Sequence, residues 1–277
     1  VRAGQVNWGS ATNRGRVRRV NEDAMLALPD VFVVSDGMGG HRAGDVAART
    51  VIDEFAGAHT SADPRDREWV TQRVRRAGRS IRQGSGGGAT VVGLVAEPGR
   101  WLAFNIGDSR AYACYQGTMQ QITTDHSVVQ ELVDSGELDR AGMRTHPQRH
   151  VITRAIGLVG DSHPDFFQLP IREGERLLLC SDGLTNELTE AQIHSVLASQ
   201  IDPQLAADAL VLAAVRAGGR DNVTVVVVDV LAVPGAAASE DTRPRELPVE
   251  PLEEDIESTL PMPWAALPVP ASRGSSR

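Results

Sequence analysis

Apolar and polar positions follow two rhythms along this chain, and the switch between them separates strands from helices. Short runs of Val, Ile, Leu and aromatic residues bounded by Gly, Asp or Pro predict strands over residues 31–35, 90–96, 101–106, 111–115, 177–180 and 223–230. Apolar residues recurring every three to four positions predict helices over 44–58, 67–81, 128–135, 190–197 and 203–217, with Thr189 and Asp202 as N-caps. Three strands crowd into residues 90–115, too closely for helical crossovers, so antiparallel pairing and an α+β fold of mixed layers are expected. The polar stretch 125–150, with Gly136, Gly142 and Pro147, is expected to be a helical insertion or a mobile flap.

The rhythm stops near Val233. Beyond it Pro, Ala, Ser and Glu dominate, so the chain is expected to divide into a domain over 1–232 and an acidic, Pro-rich, disordered tail over 233–277. With 41% hydrophobic residues the first part can build a substantial core. A net charge of -8 and a pI near 5.4 argue against nucleic acid and anionic membranes as partners. No apolar run approaches the roughly 20 residues that span a bilayer, and the first residues resemble no signal peptide. Cys114 and Cys180 lack CxxC spacing and are expected to be buried thiols in a reducing compartment. A cytoplasmic monomer is the expectation.

The candidate chemistry lies where apolar runs meet acids. Ser35-Asp36-Gly37, Gly107-Asp108-Ser109, Ser181-Asp182-Gly183 and Asp221-Asn222 each put a carboxylate at the edge of a predicted strand. One such Asp is ordinarily a turn residue. Four at one rim would repel each other unless a cation neutralised them, which favours a metal site. The donors are oxygens, without clustered His or Cys, so Mg²⁺ or Mn²⁺ fits and zinc does not. A glycine after the acid also lets a backbone carbonyl approach the ion. Upstream, three arginines of residues 16–19 precede Glu22 and Asp23; beside a cation site, an arginine fork suits phosphate oxygens.

Taken in order, Arg18 with Glu22-Asp23, Asp36-Gly37-Met38-Gly39-Gly40-His41, Gly107-Asp108-Ser109-Arg110, Ser181-Asp182-Gly183-Leu184 and Asp221-Asn222-Val223-Thr224 resemble the metal-dependent Ser/Thr protein phosphatases of type 2C, in their bacterial branch. The resemblance implies a four-layer α-β-β-α sandwich of two antiparallel sheets with a metal centre at one end. It implies that Asp36 bridges two ions, Mn²⁺ or Mg²⁺, that the Gly37 carbonyl helps hold one, and that Asp182 and Asp221 hold the other. Glu22 would act through metal-bound water, Asp23 and Asn222 would support the network, and Arg18 would bind the substrate phosphate. A third, weaker ion would sit between Asp108 and Asp182. The reaction implied is hydrolysis of phosphoserine and phosphothreonine by a metal-activated water without a phosphoenzyme, opposing Ser/Thr kinases.

Some relatives carry a histidine where this chain has Met38, which leaves the leaving-group acid unassigned between His41 and a metal-bound water. Met38 also argues against a haloacid-dehalogenase-like enzyme, which needs a second Asp there. An inactive homologue acting as a phosphoprotein adaptor would be expected to have lost ligands, and none is missing. In the tail, Thr259 follows the acidic run 253–257; phosphorylated, it would offer a docking point for a phosphothreonine-binding partner, against the simpler expectation of a passive linker.

Overall fold

A computed structural model describes residues 5–40, 42–58, 63–84, 86–158 and 163–232. His41 and the whole tail, including Thr259, lie outside the described residues.

Two antiparallel sheets pack face to face. One contains β1 (Gln5–Asn13), β11 (Val223–Ala232), β10 (Arg176–Cys180), β7 (Arg110–Tyr115) and β8 (Thr118–Gln121), paired in that order. The other runs β2 (Asp23–Leu28), β3 (Val31–Met38), β5 (Val91–Glu97), β6 (Arg100–Ile106) and β9 (Asp165–Pro170), with the short β4 (Gly88–Ala89) pairing beside the end of β3. Helices α1 (Arg42–Ala58) and α2 (Arg67–Gln83) cover the second sheet, and α4 (Asp182–Glu187), α5 (Glu190–Ser199) and α6 (Pro203–Ala217) cover the first. The remaining helix, α3 (Val128–Asp134), precedes a single 3₁₀ turn at Gly142–Thr145. The expected four-layer sandwich is what forms.

Its central strands are apolar on both faces because both faces are covered. Phe32 and Val34 of β3 meet Leu177 and Leu179 of β10 and Val226 and Val228 of β11 between the sheets. Their neighbours Val31 and Val33 face α1 and α2, while Leu178, Val225 and Val227 face α4 to α6. Each such valine or leucine contributes about 1.5–3 kcal/mol on burial, so the strands that carry the acids are rigidly seated. Thr189 and Asp202 cap α5 and α6 as expected, Thr189 in a full capping box with Gln192.

The structure departs from the sequence reading in several places. Strands β5 and β6 pair antiparallel, but β7 does not join them: the chain crosses to the other sheet through Gly107–Ser109. Gly107 permits this crossing with φ near 103°, in the left-handed region that glycine tolerates. Residues 125–127 are not part of an exposed flap. Asp125 is buried in an ion pair with Arg110, and Ser127 caps α3. Cys180 is buried, whereas Cys114 is only half-buried; desolvation pushes both thiols up to about 12, and neither forms a disulfide. Among the described residues no helix is long and apolar enough to cross a membrane.

Candidate active site

The five sequence motifs converge at one end of the sandwich. In the β2–β3 pairing Asp23 stands opposite Asp36, and the Gly37 N–H donates to the Glu22 carbonyl at 3.1 Å. Asp23 and Asp36 are thus cross-strand neighbours, and Glu22 stands across from Gly37. The Asp36 N–H donates to Thr90 Oγ1 (3.0 Å), which contacts Ser109 Oγ at 2.7 Å, so the crossing that carries Asp108 is tied to the strand that carries Asp36. Gly107 is held from both sides by His126: its N–H donates to Nδ1 at 3.0 Å, and its carbonyl accepts from the His126 N–H at 2.9 Å. Because Nδ1 accepts, Nε2 carries the proton and donates to Asp165 Oδ2 at 3.0 Å.

On the other sheet, β10 ends at Cys180 and Asp182 opens α4, where Asn186 one turn later donates to its Oδ2 at 2.9 Å. Asp221 lies just before β11 and accepts from the Asn222 N–H at 2.8 Å. The Asn222 side chain fastens the loop that precedes β2: it accepts from the Glu22 N–H (2.8 Å) and donates to the carbonyls of Arg14 (2.9 Å) and Val20 (3.0 Å). That loop delivers Arg18, whose Nη2 donates to Asp221 Oδ2 at 2.6 Å while half the side chain stays exposed. The hydrogen bond to Asp221 raises the Arg18 pKa further, so it is a fixed cation.

The acids perturb one another. Asp36, Asp108 and Asp182 keep part of their surface on the cleft but lie deep enough that desolvation raises all three, Asp36 and Asp108 well above the usual carboxylate range. Repulsion adds to this: Asp23, Asp182, Asp108 and Asp221 act on Asp36, Asp182 acts on Asp108, and Asp221 acts on Asp182. Asp23 is raised to about 7 by burial, against hydrogen bonds from Thr224 and Ser181. Ser181 Oγ donates to Asp23 Oδ2 at 2.8 Å.

Asp36, Asp108, Asp182 and Asp221, with Glu22, floor a cleft of about 760 Å³ whose wall also includes Arg18, Arg144, Arg149, His150 and Arg220. Arg144 is pinned by donating to the carbonyls of Thr185 (3.0 Å) and Leu188 (3.1 Å), which ties the 3₁₀ turn to α4, and Arg220 pairs with Glu187 at 3.0 Å. An acidic floor under a basic wall suits a metal-bound phosphate ester. Of the wall arginines only Arg18 was legible in the sequence; Thr90, Asn186, His126, Arg144, Arg149 and Arg220 were not, and the partners of Asn186 and Thr90 lie 4 and 54 residues away.

The donor set fits hard divalent ions. It consists of carboxylate and carbonyl oxygens, and Asp182 Oδ1 and Asp23 Oδ1 are buried oxygens with no hydrogen-bond partner among the described residues. Among the described residues no three His, Cys, Asp or Glu side chains stand close enough together to hold an ion as they are; the acids line the cleft, with Asp36 and Asp182 in pairwise contact.

Comparison with known proteins agrees with this architecture. A family profile described as protein phosphatase 2C matches residues 15–211. The serine/threonine phosphatase stp of Listeria innocua is 35% identical over 235 residues, covering 79% of this chain and 93% of that one. The crystal structure of the Mycobacterium tuberculosis serine/threonine phosphatase PstP/Ppp superposes with a TM-score of 0.77 at 34% identity, covering 82% of this chain and 99% of that one. The catalytic domain of PstP in complex with 2 manganese ions superposes with a TM-score of 0.76 at 33% identity, over 82% of this chain and 99% of that chain. Matched across most of its length in sequence and in fold, the chain belongs to the protein phosphatase 2C family.

Proposed function

We propose that this protein phosphatase hydrolyses phosphoserine and phosphothreonine in proteins within the acid-floored cleft, opposing Ser/Thr kinases in the cytoplasm as a monomer. Asp36, Asp182, Asp221 and the Gly37 carbonyl would hold two divalent ions, Mn²⁺ or Mg²⁺, with Glu22 contributing through water and Asp108 sharing a third, weaker ion with Asp182. Such ions, when bound, acidify water and neutralise phosphate oxygens.

The chain's own groups do the rest. Arg18 keeps N–H donors beyond the one spent on Asp221, and its exposed half reaches towards the cleft, where it orients the phosphate. Asn222 and Asp23 do not meet substrate; they fix the loop and the strand that carry Arg18 and Glu22. Neither Ser35 nor Ser181 is a nucleophile. Both are almost fully buried, and their hydroxyls are committed to the Thr90 carbonyl (2.7 Å) and to Asp23. Met38 lines the cleft with a thioether that has no proton to give, so it is not the acid for the departing alkoxide.

The observation that carries this reading is the gathering of Asp36, Asp108, Asp182 and Asp221 in one cleft beneath a basic wall, with Asp182 Oδ1 buried and without a hydrogen-bond partner among the described residues. The adaptor alternative is not favoured, because every acid is in place. Hydrolysis of p-nitrophenyl phosphate and of a phosphothreonine peptide should require added Mn²⁺, stop with chelator and be nearly lost in Asp182→Ala. Turnover that survives the chelator would contradict the mechanism.

A further inference from the structure

Helix α2 carries six arginines and one acid, in a chain whose net charge is -8. Two of the six are committed elsewhere: Arg67 stacks over Phe166 and Arg73 over Trp69, at 5.6 and 5.2 Å. Arg75, Arg79 and Arg82 are different. They are exposed, recur at helical spacing on one face, and line a groove of about 410 Å³ with Gly78, Ile156 and Gly157. None of the three pairs with a carboxylate among the described residues. The floor is kept low by Gly78, where an added Cβ would come within 3.3 Å of Arg82 Nη1.

The groove is neighbour to the active site by backbone pairing. Gly37 of the cleft pairs with Ala89, and Ala89 exchanges hydrogen bonds with Ile156 at 2.9 and 2.8 Å. Two such steps place Ile156 roughly 10 Å from the acid floor, at about 4.8 Å per strand spacing. An extended polypeptide covers that distance, and the further reach to the arginines, in about three to five residues.

We infer that the Arg75–Arg79–Arg82 groove is a specificity subsite that engages a carboxylate or second phosphate on the substrate polypeptide, a few residues from the phosphoresidue in the cleft. The inference rests on the phosphatase reading above and adds a substrate class to it: phosphoproteins with acidic flanking sequence. An acid-rich cleft repels such chains, and three unpaired guanidinium forks beside it supply both the counter-charge that steers them in and bidentate contacts that hold them.

The test compares a phosphothreonine peptide with neutral flanks against versions bearing two aspartates about three to five residues before or after the phosphothreonine. Wild type should favour one acidic version by roughly fivefold in kcat/KM, mainly through KM, and lose the preference as salt rises. The triple variant Arg75→Gln/Arg79→Gln/Arg82→Gln should treat all peptides alike while hydrolysing p-nitrophenyl phosphate as wild type does. Equal turnover of all peptides by wild type, or an unchanged preference in the variant, overturns the subsite. So does variant-sensitive binding to phosphatidylserine vesicles with peptide preference intact, which would assign the patch to a lipid surface. A wild type inert towards p-nitrophenyl phosphate and every peptide would instead fell the phosphatase reading, and this inference with it.

Discussion

Ser35-Asp36-Gly37 and Ser181-Asp182-Gly183 are the same tripeptide in two settings. In the first, the strand continues through the acid to Met38, so Asp36 is a strand residue whose N–H is anchored by Thr90. In the second, the strand stops at Cys180 and a helix starts on the acid, whose Oδ2 is held by Asn186 one turn on. The serines diverge as well: Ser35 Oγ donates to a backbone carbonyl, whereas Ser181 Oγ donates to Asp23 and accepts the Thr224 N–H (3.0 Å), joining the two sheets. The glycines agree. Neither has positive φ; each is required because a Cβ would strike a neighbouring carbonyl, that of Gly44 at Gly37 and that of Asn222 at Gly183. One tripeptide thus brings an acid to the same cleft by two backbone routes, and close approach of a second backbone is the shared requirement.

If the two acids act together, Asp36→Asn and Asp182→Asn should each lower phosphopeptide turnover on the order of 10²–10³-fold. Combining them should cost little more than either alone, as for residues acting as a unit. Independent, multiplying losses would break the comparison. The glycine rule is tested by Gly37→Ala and Gly183→Ala, each expected to cost about 3 kcal/mol in urea unfolding because the obstacle is backbone that cannot give way. Asn186→Ala should weaken Mn²⁺ binding by about 10–100-fold with little change in stability, since it orients Asp182 without belonging to the core. The smallest effect separates the serines. Ser35→Ala should cost about 1 kcal/mol; Ser181→Ala should cost more, because it strips partners from Asp23 and from the Thr224 N–H together.

What the sequence disclosed follows the same physics. Strands β3, β5, β6, β10 and β11 are central and covered on both faces, so they read as unbroken apolar runs. Of the five strands absent from the sequence reading, β1, β2, β8 and β9 are the edges of the two sheets, and β4 is a two-residue pairing beside β3. The edge strands' residues are largely half-buried or exposed, as in Thr118–Gln121, and their pattern is diluted with polar side chains. Helix α4 was hidden because Ser181-Asp182-Gly183 reads as a turn, and only packing against Asn222 and β11 makes it helical. The acids were legible as recurring motifs. Their supports were not, because Thr90, His126 and Asn186 are ordinary residues until the fold brings them to Asp36, Gly107 and Asp182.

The central claim is that Asp36 and Asp182, carried by different sheets, hold divalent ions in common. Calorimetric titration of Mn²⁺ into metal-free protein tests it most directly. Wild type should take up at least two ions per chain, and Asp36→Asn should abolish both high-affinity sites while the protein remains folded by circular dichroism. Undiminished Mn²⁺ uptake by folded Asp36→Asn would contradict the account.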